Sequence, residues 1–107
     1  MSIIPLDTYQ TINETIAKFL SHETPLNYTE QLGLAWLALD ELQELGYGFT
    51  MSSLGRSTIR MRIVRWAGHS YSHTSTGEYI VDIVDGPAPL AICRAIVEAI
   101  AYENLQV

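Results

Sequence analysis

A chain of 107 residues that is 48% hydrophobic sits in the range of one domain and can bury roughly two thirds of its unfolded surface. Its single cysteine, Cys93, excludes an internal disulfide, and no run reaches the ~20 apolar residues needed to span a bilayer. A formal net charge of -6 argues against duplex DNA or anionic membrane as the main partner, because both reward a broadly basic face.

The opening residues, Met1 to Asp7, hold no basic stretch and no signal-like apolar run, so a cytoplasmic protein of one domain, residues 1–107, is expected. From about Asp7 to Leu20, apolar residues recur at three- and four-residue steps (Leu6, Tyr9, Ile12, Ile16, and Phe19 or Leu20) and predict a first helix with Asp7 as its N-cap. His22-Glu23-Thr24-Pro25 predicts the turn that stops it, since Pro lacks the amide donor and biases Thr24 away from helical angles. A second helix is expected from a capping-box pair, Asn27 and Glu30, through an apolar stripe of Leu32, Ala35, Trp36, Leu39 and Leu42, to a left-handed stop at Gly46. Asp40, Glu41 and Glu44 fall on its opposite face, where solvation explains them, and Trp36 reads as core.

After Gly46 the period changes from helical to alternating. A strand from Tyr47 to about Ser53 puts Tyr47, Phe49 and Met51 on one face and Gly48, Thr50 and Ser52 on the other. Leu54-Gly55-Arg56-Ser57 reads as a hairpin connection to a strand from Thr58 to Trp66. There Ile59, Met61 and Ile63 oppose Arg60, Arg62, Val64 and Trp66, with Arg65 on the opposite side from Arg60 and Arg62 near the strand end. A hydroxyl-rich loop, Gly68 to Gly77, leads to a third strand in which Tyr79, Val81 and Ile83 alternate with Ile80, Asp82 and Val84. Asp85-Gly86-Pro87-Ala88-Pro89 breaks it, and a last helix begins near Pro89 with Leu90, Cys93, Ile96, Val97 and Ile100 as its buried stripe.

The expected fold is therefore α+β, a three-stranded antiparallel meander packed with three helices in the order α-α-β-β-β-α, a helix/sheet sandwich with the Thr58 to Trp66 strand central. Helices should cover the face bearing Phe49, Met61, Tyr79 and Val81. The other face carries arginine beside Val64, Trp66, Ile80 and Val84, and so mixed a surface predicts cover by a helix or a second subunit.

Charge falls in three blocks: Met1 to Gly55 has one Lys against seven acids, Arg56 to Thr76 has four Arg and no acid, and Gly77 to Val107 has one Arg against five acids. Arg holds phosphate or carboxylate in a planar two-point grip, so this island marks a candidate anion site. Arg56, Arg60, Arg62, Trp66, His69, Tyr71, His73 and Thr74 are its candidate ligand-binding residues: cations, aromatic rings for stacking and loop donors. The competing account of Arg60 and Arg62 is a cross-strand ion pair with Asp82, and that of the loop is a plain hairpin connection.

His69 and His73 have helical metal spacing, but Gly68 and the surrounding Ser, Tyr and Thr oppose a helix there and no Glu or Cys stands close by, so no metal is expected. Cys93 on an apolar helical stripe behaves as a small hydrophobe rather than a nucleophile. No Walker or Rossmann glycine pattern, paired-carboxylate spacing or nucleophile elbow is present. The expectation is a binding protein without cofactor, not an enzyme.

Asn27-Tyr28-Thr29-Glu30 leading into Leu34-Ala35-Trp36 and Gly46-Tyr47-Gly48-Phe49 resembles the first half of the phage ABA sandwich domain family, and Ala88-Pro89-Leu90-Ala91-Ile92-Cys93-Arg94-Ala95 resembles its most recognisable segment. The similarity spans roughly residues 25–101; the Arg-rich second strand and the Ser/Thr/His loop depart from it. It implies a small phage or prophage protein with helices packed on a short antiparallel sheet, working in the host cytoplasm. On that footing the arginine island suggests an anti-defence protein that sequesters a nucleotide signal of host immunity. The alternative is an inhibitor or accessory factor that docks a host immune or replication protein through its acidic helices or mixed sheet face. A homo-oligomer suits either, since a small domain gains a deeper pocket between subunits than it builds alone.

Overall fold

The computed structural model describes residues 6–66, 77–103 and 105. Its elements are α1 (Leu6–Phe19), α2 (Leu32–Glu44), β1 (Tyr47–Gly55), β2 (Thr58–Trp66), β3 (Gly77–Asp85) and α3 (Ala88–Glu103). The strands form one antiparallel sheet in the order β1-β2-β3, so the expected α+β meander with a central second strand is the fold.

Ile12, Ile16 and Ala17 bury one side of α1. Asp7 lies inside the helix rather than at its cap. The helix ends within a residue of the expected Leu20, but the stop is made by the chain just after it rather than by Pro25: Ser21 adopts a left-handed φ of 60°, the Ser21 amide donates to the Lys18 carbonyl and the His22 amide to that of Ala17. That paired bonding satisfies the last carbonyls of the helix without any proline.

The Asn27–Glu30 capping box does not form. The Glu30 and Gln31 amides both donate to the Asn27 carbonyl, and Gln31 caps α2 with no side-chain bond. This turn serves the core instead. Tyr28 is fully buried, its hydroxyl 2.6 Å from His22 Nδ1, and the Thr29 amide donates to the buried Asn13 Oδ1 at 3.2 Å, tying the approach of α2 to α1. Within α2, Ala35, Ala38, Leu39 and Leu42 form the buried face, while Leu32 (49% exposed) and Trp36 (38% exposed) lie at its margin. Trp36 is thus not core; it meets Phe49 edge-on at 5.6 Å, where the helix overhangs β1. Gly46 takes the expected positive φ, 100°, between α2 and β1.

α3 is the central helix. Leu90, Ile92, Cys93, Ala95, Ile96, Ala99 and Ile100 are buried because it packs against β2, β3, α2 and α1. α2 lies beside it over β1, and α1 packs on α3. The helix-covered face of the sheet is built from Met61, Ile63 and Val81, fully or almost fully buried, with Phe49, Ile80 and Ile83 packed against them.

One register feature overturns a face assignment. Ile63 pairs with Val81, but Val64 pairs with Tyr79, so Ile80 is an extra residue on β3. A bulge of this kind reverses alternation beyond it. Ile80 therefore joins Val81 on the covered side, and Tyr79, expected on that side, turns to the other face with Val64.

Candidate functional site

Strand alternation and the bulge together place Thr50, Ser52, Arg60, Arg62, Val64, Tyr79, Asp82 and Val84 on the face away from the helix-covered core. Among the described residues no helix covers this face, contrary to one of the two covers expected; Tyr79 and Val84 are 50% and 55% exposed. Val64 is buried yet separate from the helix-side core.

The register sets Arg62 directly between Thr50 and Asp82, and Arg60 between Ser52 and Val84. Asp82 nevertheless goes to Arg60. The guanidinium reaches diagonally and grips the carboxylate at two points, Nε to Oδ1 at 2.9 Å and Nη2 to Oδ2 at 2.7 Å. Hydrogen bonding by Arg60 holds the Asp82 carboxyl below its ordinary range. The cross-strand ion pair expected for Arg60 is present.

Arg62 is placed differently. Its Nε is 3.6 Å from Asp82 Oδ2, within ion-pair range of the same carboxylate but too far for a hydrogen bond, and this shielded atom has no hydrogen-bond partner among the described residues. The guanidinium carbon lies 3.9 Å above the Tyr79 ring centroid, a cation–π stack made only because the bulge turns Tyr79 to this face. Thr50 and Ser52 add exposed hydroxyls alongside.

The remaining arginines do not join them. Arg56 stands exposed at the β1–β2 turn, and Arg62 is four strand residues past Thr58, roughly 13 Å along β2. Arg65 lies on the helix side, as expected, bonding Glu103 through Nη1 at 2.5 Å and Glu78 through Nη2 at 2.6 Å. The Tyr47 hydroxyl donates to the same Glu103 at 2.7 Å, so one carboxylate at the end of α3 joins β1 and β2. Burial, reinforced by Glu103, pushes the Tyr47 phenol up to about 12, and hydrogen bonds from Tyr47 and Arg65 lower the Glu103 carboxyl. Arg94 pairs with Asp85 at 2.5 Å, and Asp85 also accepts the Gly86 amide.

Trp66 closes β2, its side chain outside the described ones, and His69, Tyr71, His73 and Thr74 lie outside the described residues altogether. Of the expected site residues, then, Arg60 and Arg62 share a face and Arg56 is apart from them. Tyr79 is the contact residue that sequence reasoning missed. Its only signal was the adjacent apolar pair Ile80-Val81, which interrupts strict alternation.

Cys93 is fully buried and its thiol is pushed up to about 12 by that burial, which leaves it protonated and unreactive. Among the described residues no three His, Cys, Asp or Glu side chains converge as metal ligands. A groove of about 430 Å³ runs between α1 and the 25–30 segment, away from the arginines, and carries Glu14 and Glu30 with no cation. No helix among the described residues is long and apolar enough to cross a membrane. Compared with family models, curated proteins and solved structures, the chain matches none.

Proposed function

We propose that this is a non-catalytic binding protein that docks a host protein on the sheet face that no described helix covers, with Arg62 and Tyr79 at the centre of the contact. The observation that carries this reading is the Arg62–Tyr79 stack on an exposed sheet surface beside Val84. Arg and Tyr are the side chains enriched at the centres of protein interfaces, whereas small-molecule sites are concave and enclose their ligand. Among the described residues the face holds two cations against one anion, in a chain of net charge -6. It therefore favours a partner that brings a carboxylate to Arg62. That the partner is a host protein, met in the host cytoplasm, rests on the resemblance to phage ABA sandwich domains.

Sequestration of a nucleotide signal is the second reading, supported by the Thr50 hydroxyl directly opposite Arg62. It is the weaker one because Asp82 already occupies Arg60.

Capture from host lysate on immobilised wild-type protein, Arg62→Glu, Tyr79→Ala and a distant Glu14→Ala control tests the docking reading. The expected result is one partner retained by wild type and Glu14→Ala, and bound at least about 30-fold more weakly by the two face variants, as for residues at the centre of an interface. Equal retention by all four overturns it. A parallel thermal-shift series with cyclic and linear nucleotides separates the readings: a melting temperature that rises with nucleotide in wild type but not in Arg62→Glu establishes sequestration instead.

A further inference from the structure

The groove between α1 and the 25–30 segment takes no part in the docking reading, and it exposes polar groups that the fold does not use. Tyr9 and Asn13 lie one turn apart on α1, with Gln10 and Glu14 in the neighbouring row; Leu26, Thr29 and Glu30 belong to the facing segment. That segment is pinned in place. Tyr28 is fully buried with its hydroxyl 2.6 Å from His22 Nδ1, and the Thr29 amide donates to Asn13 Oδ1 at 3.2 Å. The second bond also orients the Asn13 side chain, because the oxygen must face the Thr29 N–H and Nδ2 is left to point elsewhere.

Asn13 and Thr29 are only 9% and 5% exposed. Yet among the described residues Asn13 Nδ2 donates to nothing and the Thr29 hydroxyl has no partner. Neither atom is sealed inside the protein, since Arg62 Nε is the one sealed side-chain atom without a partner among the described residues. Both therefore open onto the groove that their residues line, and their hydrogen bonds are completed from that side. Glu14 and Glu30 line the same groove, and neither enters an ion pair among the described residues.

We infer that this groove binds a small hydroxylated amine of the amino-sugar class.

Its ammonium group meets Glu14 and Glu30, a hydroxyl oxygen accepts from Asn13 Nδ2, a second hydroxyl pairs with Thr29, and the C–H face of its ring lies on Tyr9 and Leu26. A plain alkylamine would satisfy the carboxylates and leave Asn13 and Thr29 unpaired; a neutral sugar would do the reverse. An anionic ligand is repelled, which separates this site from the arginine face. The volume of about 430 Å³ falls within the range of small-molecule sites.

Amide nitrogen–proton NMR spectra of the full chain, titrated with glucosamine, glucose and 1,4-diaminobutane, test the inference. Glucosamine should shift the Thr29 backbone amide and the Asn13 side-chain amide to saturation with a Kd of about 1 mM or tighter. Glucose and diaminobutane, each lacking one of the two features, should bind at least about fivefold more weakly. The Glu14→Gln/Glu30→Gln double variant should lose glucosamine affinity to the same degree, and Arg62→Glu should bind it like wild type. Thr29→Val should also bind more weakly while keeping or raising its melting temperature, because the hydroxyl it removes has no partner inside the protein. Shifts that do not saturate by about 10 mM glucosamine, an equal response to glucose or diaminobutane, or wild-type affinity in the carboxylate variant each overturn the inference. So does a fall in melting temperature for Thr29→Val, which would give that hydroxyl to the fold.

Discussion

A methyl group added at Gly86 tests how the last helix is seated. A Cβ built there would lie 1.5 Å from the Ser57 carbonyl oxygen and 2.7 Å from its carbon, so the turn into α3 rests directly on the backbone of the β1–β2 hairpin. Neither atom belongs to a side chain that can swing aside. Relief requires the two backbones to part by nearly 2 Å, which lifts the start of α3 and with it Leu90 and Ala91, both buried, from their contacts. Overpacking of this kind exceeds the usual core value, and a cost of at least about 3 kcal/mol is expected for Gly86→Ala, or a fall in melting temperature of about 12–24 °C in a domain of this size. Gly33→Ala is the matched control. Gly33 is inside α2, a Cβ there meets nothing within 4 Å, and its φ is not in the left-handed region. The same substitution should therefore stabilise by about 0.5–1 kcal/mol, by raising helix propensity and restricting the unfolded chain. Thermal unfolding by circular dichroism reads both. If Gly86→Ala melts within about 2 °C of wild type while Gly33→Ala gains stability as expected, the close approach of hairpin and helix is refuted.

The Glu103 contacts predict a pH dependence. Its folded-state carboxyl sits below the ordinary 4.5, so below that value the unfolded chain takes up a proton first; the contribution is fully present above pH 4.5 and is lost as pH falls through the folded value. Glu103→Gln should thus flatten the decline in melting temperature below pH 4.5 relative to wild type. Equal slopes would show that Glu103 gains nothing from Tyr47 and Arg65. Cys93 should resist thiol reagents in the native protein and react at the rate of a free thiol in denaturant; rapid native labelling would contradict its burial.

The helical stripes were legible in the sequence because burial of one face leaves a three- and four-residue period. Alternation likewise marked all three strands to within two residues. Legibility failed where a contact beyond the element outweighed the local signal. Asn27 and Glu30 fit a capping box by spacing, but burial of Tyr28 and the bond from Thr29 to Asn13 take that segment into a turn of its own. Trp36 fits the apolar stripe of α2, but the sheet ends at β1, so nothing beyond Phe49 covers it within the described residues.

The candidate site divides along the same line. Composition and element pattern by themselves determined an α+β fold and an acidic chain with one basic strand, and the two-residue period of that strand assigned Arg60 and Arg62 to one face with Arg65 on the other. Which arginine holds Asp82 was decided by reach across the sheet: the diagonal lets the Arg60 fork meet both carboxylate oxygens, while Arg62, directly opposite, is left over Tyr79. That ring is on the open face only because pairing with β2 inserts an extra residue at Ile80. A bulge is a property of two strands fitting together, and no periodicity within one strand encodes it.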